Sequence, residues 1–169
     1  MSNTEKWLEK YDTIWNEINT KPIFLNYYDS LNNSTNSNNS NNCILTFIEY
    51  GNKIKKFLKI YNWKIEIVDT ENIKNCLYIL LASIVVFSNH KHKKNLQQIY
   101  KESRDLFEKK NNDYGDAFMD YTTIGILVRL GDKIKRTENL SKKNNPNFES
   151  IDDSLFDSFN YIILALLLI

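Results

Sequence analysis

Two segments in the last third of the chain carry side chains that could bind a divalent cation and phosphate groups. In both segments the polar residues lie three, four or seven positions after the first one, a spacing that places them on one face of an α-helix. The two sets are Arg129, Asp132, Lys133 and Arg136, and Asp153, Asp157 and Asn160. Carboxylates are usual ligands of Mg²⁺, and guanidinium and ammonium groups bind phosphate oxygens. The spacing therefore predicts two polar helix faces suited to a phosphorylated ligand.

These faces belong to the last two predicted helices, 122–139 and 151–169, which the segment 140–149 connects. If that connection is symmetric and the helices run antiparallel, residues equally far from its midpoint lie at the same level. Three pairs then come level: Arg136 with Asp153, Asp132 with Asp157, and Arg129 with Asn160. The sequence therefore predicts a C-terminal antiparallel helix hairpin that carries the polar site.

Two interpretations of this hairpin remain open. Facing carboxylates repel each other in a low dielectric, and a divalent cation would relieve the repulsion. In the first interpretation Mg²⁺ is held by Asp132, Asp153 and Asp157, and Arg129, Lys133 and Arg136 bind phosphate oxygens. In the second, the same charges form a salt-bridged structural hairpin, in which Arg136 pairs with Asp153.

The elements that position this site are predicted to be helical throughout. Only four Gly and two Pro occur in 169 residues, which is low for a β-sandwich or barrel. Apolar periodicity predicts an all-α bundle of about six helices, over 5–19, 44–61, 72–89, 91–110, 122–139 and 151–169. Residues 63–68 alternate in polarity and could instead form a short strand. Gly115, after Asp113 and Tyr114, is expected to supply a left-handed turn.

The chain is expected to have two parts. Residues 1–90 form an N-terminal helical region with a disordered Asn/Ser-rich loop at 30–42, and residues 91–169 form a second helical domain. His90 and His92 are expected to be surface residues, because two histidines two positions apart do not share a helix face.

Composition bears on partners and location. The net charge of +1 makes nucleic acid an unexpected partner. The apolar stretch 76–87 is too short to span a bilayer, so no membrane association is expected. Cys43 and Cys76 are expected to be reduced thiols, and the polar N-terminus shows no signal peptide. Both features favour a cytoplasmic protein. The apolar C-terminal helix is compatible with a homodimer interface.

Three blocks of residues, read together, resemble a known family. They are Lys110-x-x-Asp113-Tyr114-Gly115-x-Ala117, Arg129-x-x-Asp132-Lys133-x-x-Arg136, and Asp153-x-x-x-Asp157-x-x-Asn160-Tyr161. Their order and spacing resemble the nucleotide modification associated domain, type 1, over roughly residues 95–169. That family is similar to the all-α nucleoside triphosphate pyrophosphohydrolases, the MazG and dimeric dUTPase group.

The resemblance implies an all-α fold, Mg²⁺ as cofactor and a nucleotide as substrate. The implied reaction is hydrolysis of a (deoxy)nucleoside triphosphate to a monophosphate and pyrophosphate, with Asp132 and Asp157 in the catalytic centre. Lys110, Asp113, Tyr114 and Asn160 would position the base or sugar. Asp157 and Tyr161 resemble the Asp and the aromatic residue of the family's second motif, which adds Tyr161 to the predicted substrate contacts. The resemblance also implies an oligomer.

The chain departs from the larger group at one motif. Those enzymes typically carry ExxE on one helix and ExxD on a following helix, whereas here Asp132 stands alone among basic residues. This departure favours an alternative function, a non-catalytic helical module that binds a nucleotide or docks on a nucleotide-modifying enzyme.

Overall fold

The protein is all-α, as the sequence predicts. The computed structural model describes residues 2–33, 39–64, 70–143 and 148–169, and within these ranges there are seven α-helices, one 3₁₀ helix and no strand. The α-helices are α1 (Asn3–Ile18), α2 (Pro22–Asn32), α3 (Asn39–Ile60), α4 (Thr70–His92), α5 (Leu96–Tyr114), α6 (Thr122–Ser141) and α7 (Phe148–Leu168). The 3₁₀ helix spans Ala117–Tyr121, between α5 and α6.

The central helix is α4, which is buried without interruption from Cys76 to Phe87. It packs against α2, α3, α5 and α7, so that apolar side chains on every face of this stretch are covered. By length and composition α4 could also cross a membrane, but 72% of its most apolar 18-residue window is buried inside the protein. This extent of burial is typical of a helix in the core of a folded protein.

Helix α2 is absent from the prediction. The predicted helices leave 20–43 without a helix, whereas in the structure Pro22 is the first residue of α2. Proline suits the first turn of a helix, because its missing N–H would have no partner there. Phe24 and Leu31 of α2 are buried against the core.

The ends of several helices differ from those predicted. Helix α1 begins at a capping box in which Ser2 and Glu5 exchange side-chain and backbone hydrogen bonds. Asn95 and Gln98 form a second capping box at the start of α5. The prediction that one helix ends at 89 and the next begins at 91 is therefore wrong, because α4 continues to His92 and α5 starts after the Asn95 cap.

The prediction of a disordered loop over 30–42 is wrong at both of its ends, which are helical. Helix α2 continues to Asn32 and α3 starts at Asn39, while 34–38 lie outside the described residues. The alternative strand at 63–68 also falls mostly outside them, and its first residue, Trp63, lies in a turn.

The buried residues on both sides of the predicted boundary at 90/91 form one hydrophobic core. Helix α1 packs on α5 and α7, and α3 packs on α6. Helices α6 and α7 are closely packed, and two hydrogen bonds show that they run antiparallel. The Thr123 hydroxyl donates to the carbonyl oxygen of Leu168 at 3.3 Å, and Arg136 Nη1 donates to Ser154 Oγ at 3.2 Å. The start of each helix therefore lies beside the end of the other.

Candidate functional site

A cavity of about 410 Å³ lies between the second half of α5, the 3₁₀ helix, the first half of α6 and the second half of α7. Its walls combine apolar and aromatic side chains with two cationic groups and two side-chain amides. The lining residues are Phe107, Lys110, Asn111, Tyr114, Ala117, Phe118, Tyr121, Ile126, Arg129, Asn160, Tyr161 and Leu164. A mainly apolar cavity with a few polar groups is typical of small-molecule binding sites.

Five of the residues predicted to bind substrate line this cavity, although they come from three helices. They are Lys110, Tyr114, Arg129, Asn160 and Tyr161. The other three, Asp113, Lys133 and Arg136, are not among its lining residues. Each of the three family-like blocks therefore contributes residues to one cavity, while other residues of the same blocks are not among its lining residues.

Asn160 is the most unusual polar group in the cavity. It is only 6% exposed, and its Oδ1 atom is buried without a hydrogen-bond partner among the described residues. Its neighbours on α7 are largely apolar and include the buried Phe159 and Ile163. Leaving a buried carbonyl oxygen unpaired costs about 1–3 kcal/mol. A residue that lines the cavity therefore carries a hydrogen-bond acceptor that no described group uses.

The turn after α5 is built from Gly115 and Asn111. Gly115 has φ 56° and ψ 65°, the left-handed conformation that the sequence predicts, and its N–H donates to the Asn111 carbonyl at 2.8 Å. The buried Asn111 side chain donates to Asp116 Oδ1 at 2.7 Å and to Thr4 Oγ1 at 3.1 Å. One amide thus holds the turn and ties it to the start of α1.

Aromatic packing fixes the position of the 3₁₀ helix. The ring of Phe118 meets Trp7 edge-on, with centroids 5.0 Å apart, and also meets Phe107 at 5.8 Å. Phe107 is buried, whereas Trp7 is only partly covered. Edge-to-face contacts of this kind stabilise and orient rings. Phe118 is thereby anchored as one wall of the cavity.

Arg129 lies over an aromatic ring at the rim of the cavity. Its guanidinium carbon is 4.7 Å from the ring centroid of Tyr121, a cation–π contact. Both residues are exposed, and so is Tyr114, which is 73% exposed. The guanidinium is therefore oriented by a ring and still accessible to a ligand. Exposed aromatic rings beside a cation suit a flat ligand that carries negative charge.

The predicted carboxylate site between α6 and α7 has a different arrangement. Lys133 Nζ lies 3.0 Å from Asp157 Oδ2, so Asp157 forms an ion pair with the neighbour of Asp132. Arg136 donates to Ser154, the residue after its predicted partner Asp153. The predicted level pairing of Asp132 with Asp157 and Arg136 with Asp153 is therefore displaced by one position, and Asp132 is exposed.

The three carboxylates do not form a common ligand set. Asp153 lines a different cavity, between α4, α5 and α7. Within the described part of the chain, no three or more His, Cys, Asp or Glu side chains form a group that could hold a metal ion. Asp132, Asp153 and Asp157 all lie in that part. In this arrangement they do not fit the predicted Mg²⁺ centre, and the salt-bridged interpretation accounts better for Asp157.

Sequence reasoning missed Asn111, Phe118 and Tyr121. Asn111 lies two positions before the Asp-Tyr-Gly segment, and this proximity could have indicated its place in the turn. Tyr121 and Arg129 are eight positions apart across a change from 3₁₀ to α-helix, a relationship that helical spacing does not reveal.

The protein is all-α, and its cavity combines aromatic side chains with two cationic groups and two side-chain amides. Residues 110–169, about a third of the chain, match the family model described as nucleotide modification associated domain 1. This segment contains all the cavity residues except Phe107. It also contains the three blocks on which the resemblance rests, and the match supports that resemblance. No curated protein and no solved structure matched the chain.

Proposed function

We propose that the protein binds a nucleotide in the cavity between α5, the 3₁₀ helix, α6 and α7. The observation that carries the proposal is the buried Asn160, whose Oδ1 atom lacks a partner inside an aromatic-lined cavity. Nucleobases present N–H donors along their edges and flat faces for stacking. An amide acceptor among aromatic rings therefore suits a base.

Two cations favour a phosphorylated ligand over a free base. Arg129 and Lys110 both line the cavity, and Arg129 is held over the ring of Tyr121. A guanidinium binds phosphate oxygens in a bidentate manner, and an ammonium group adds a point charge. Since Asn160 is buried and Arg129 is exposed, the base would enter first and the phosphates would remain toward solvent.

Hydrolysis of a (deoxy)nucleoside triphosphate with Mg²⁺ stays a prediction of the sequence. It depends on a shared ion at Asp132, Asp153 and Asp157, and these side chains do not come together in the described arrangement. The proposal is therefore the non-catalytic alternative, a helical module that binds a nucleotide. A homodimer and a cytoplasmic location likewise stay predictions.

The experiment compares two arginines on one helix. Each ribonucleotide and deoxyribonucleotide, and the matching nucleosides, would be titrated by calorimetry into the wild type, Arg129→Gln and Arg136→Gln. We expect Arg129→Gln to weaken nucleotide binding by about tenfold or more and to leave nucleoside binding nearly unchanged, because it removes a phosphate contact. Arg136→Gln is the matched control, since Arg136 lies outside the cavity.

Two results would contradict the proposal. One is the absence of saturable binding for every nucleotide. The other is an equal loss of affinity in both variants, which would point to general electrostatic attraction. Pyrophosphate release, measured in the same samples with Mg²⁺ and with an Asp157→Ala control, tests the predicted hydrolysis separately.

A further inference from the structure

A second cavity, of about 330 Å³, lies between the end of α4, the first half of α5 and the first half and middle of α7. It shares no residue with the proposed nucleotide cavity. Its deep wall is apolar and buried, and consists mainly of Phe87, Ile99 and Phe159, which are 1%, 4% and 1% exposed. The volume is near the lower end for small-molecule sites, so the cavity suits a small apolar body.

The polar rim of this cavity contains a histidine–carboxylate hydrogen bond that the sequence pattern does not predict. His92 is predicted to be a plain surface residue, but its Nε2 atom lies 2.9 Å from Asp152 Oδ2. The two residues are 60 positions apart in the sequence, so local spacing does not indicate the contact. The contact uses one oxygen of the Asp152 carboxylate and fixes the orientation of the group.

The other carboxylate oxygen, Asp152 Oδ1, is buried and has no hydrogen-bond partner among the described residues. The second acidic side chain at the rim, Asp153, is exposed. A third, Glu102, is paired with Lys94 at 2.8 Å. The buried polar atom at this cavity that lacks a described partner is therefore an acceptor with negative charge, set beside an apolar floor.

We propose that this cavity is a second ligand site, which binds a small organic cation with an apolar body. A protonated amine would pair with the carboxylate of Asp152, whose side chain lines the cavity and is 26% exposed, and its hydrocarbon part would cover Phe87, Ile99 and Phe159. A charge-assisted hydrogen bond of this kind is about twice as strong as a neutral one. An anionic ligand is disfavoured because Asp152 and Asp153 would repel it. The site is independent of the proposed nucleotide cavity.

The test uses benzylammonium chloride as the probe and benzyl alcohol as its uncharged counterpart, both followed by ¹H–¹⁵N NMR without nucleotide. We expect saturable shifts at the end of α4 and the first halves of α5 and α7. We also expect benzyl alcohol to bind about tenfold more weakly, because it lacks the charge. Asp152→Asn should weaken benzylammonium binding to a similar extent. Asp105→Asn is the control, since Asp105 is exposed on α5 and outside both cavities.

The comparison of the two probes on the wild type needs no variant, so the test does not depend on how Asp152→Asn folds. Equal affinity for the amine and the alcohol would overturn the proposal. So would the absence of saturable shifts, or unchanged binding in an Asp152→Asn protein whose spectrum is native.

Discussion

The ammonium nitrogen of Lys133 lies 3.0 Å from Oδ2 of Asp157 and joins α6 to α7 where the sequence predicts a shared Mg²⁺ ion. The two side chains are 27% and 35% exposed. A partly exposed ion pair needs no metal to compensate its charges. It therefore leads to predictions that differ from those of a metal site.

The first prediction concerns the response to Mg²⁺. A ligand that binds only the folded protein raises its melting temperature, whereas an ion pair between side chains needs no such ligand. We expect millimolar Mg²⁺ to leave the melting temperature of the wild type unchanged. Asp157→Asn should cost less than about 1 kcal/mol, the usual range for a partly exposed pair. Thermal melts with and without Mg²⁺ measure both effects.

A double-mutant cycle with Lys133→Met separates the pair from other effects of Asp157. If the two residues act only on each other, Asp157→Asn should cost little in the Lys133→Met background. A Mg²⁺-dependent rise in melting temperature that Asp157→Asn abolishes would instead restore the metal site predicted from the sequence.

The second prediction concerns the contact between α3 and α6. A Cβ atom at Gly51 would lie 2.6 Å from Cδ1 and 2.8 Å from Cγ1 of Ile134, which is buried and branched. We expect Gly51→Ala to destabilise the protein by about 1–3 kcal/mol, because the helices must move apart. Urea unfolding measures the change.

Gly131→Ala is the matched control on the same interface. Its Cβ would lie 3.2 Å from Cε of Lys55, a flexible side chain that can move aside. Alanine also favours a helix over glycine by about 1 kcal/mol. We therefore expect Gly131→Ala to be neutral or stabilising. Equal effects at Gly51 and Gly131 would show that the α3–α6 contact is looser than described.

The third prediction concerns alkaline pH at the contact of α1 with α5. Burial raises the pKa of Tyr11 and also that of Tyr100, whose hydroxyl donates to Asp12; the pKa of Tyr100 reaches about 12, against an ordinary value of 10.0. Above pH 10 the unfolded chain therefore loses protons that the folded protein keeps. The free energy of unfolding should be unaffected by these groups below about pH 10 and should fall as the pH rises toward about 12.

Urea unfolding at several pH values from about 9 to about 12 measures this decline. In Tyr100→Phe one of the titrating groups is absent, so its stability should decline less steeply, although it starts from a lower value. A wild-type stability that stays constant over this range would contradict the burial of both hydroxyls.

The parts of the fold that the sequence predicts are those set by local pattern. The apolar run 76–87 predicts a buried helix, and Gly115 predicts a left-handed turn, because each depends on neighbouring residues alone. Helix α2 was missed because proline can either end a helix or begin one, and only tertiary packing of Phe24 and Leu31 decides between them.

The candidate site is less accessible to sequence reasoning. The blocks on α5, α6 and α7 identify residues such as Arg129 and Asn160, which do line one cavity. Which residues of α6 face which residues of α7 was predicted by assuming a symmetric connection between the helices. In the structure the pairing differs by one position, so that Lys133 and not Asp132 lies beside Asp157. Neighbouring residues on a helix point about 100° apart, so this small displacement changes the chemistry of the predicted site.

The last prediction uses the stability of the ligand-free protein to test Asn160. A buried amide oxygen without a partner lowers stability, and a protein retains such a group where a ligand uses it. Asn160→Leu has a similar size and removes the unpaired group, so we expect a higher melting temperature without ligand and no further rise with nucleotide. Ser158→Ala is the matched control. Ser158 is also buried on α7, but its hydroxyl donates to the Ser154 carbonyl at 2.6 Å. Its loss should leave the nucleotide response intact and should not raise the melting temperature.

Differential scanning fluorimetry of the three proteins, with and without the best-binding nucleotide, provides the comparison. If Asn160→Leu is less stable than the wild type and still responds to nucleotide, Asn160 is part of the core packing and the base lies elsewhere.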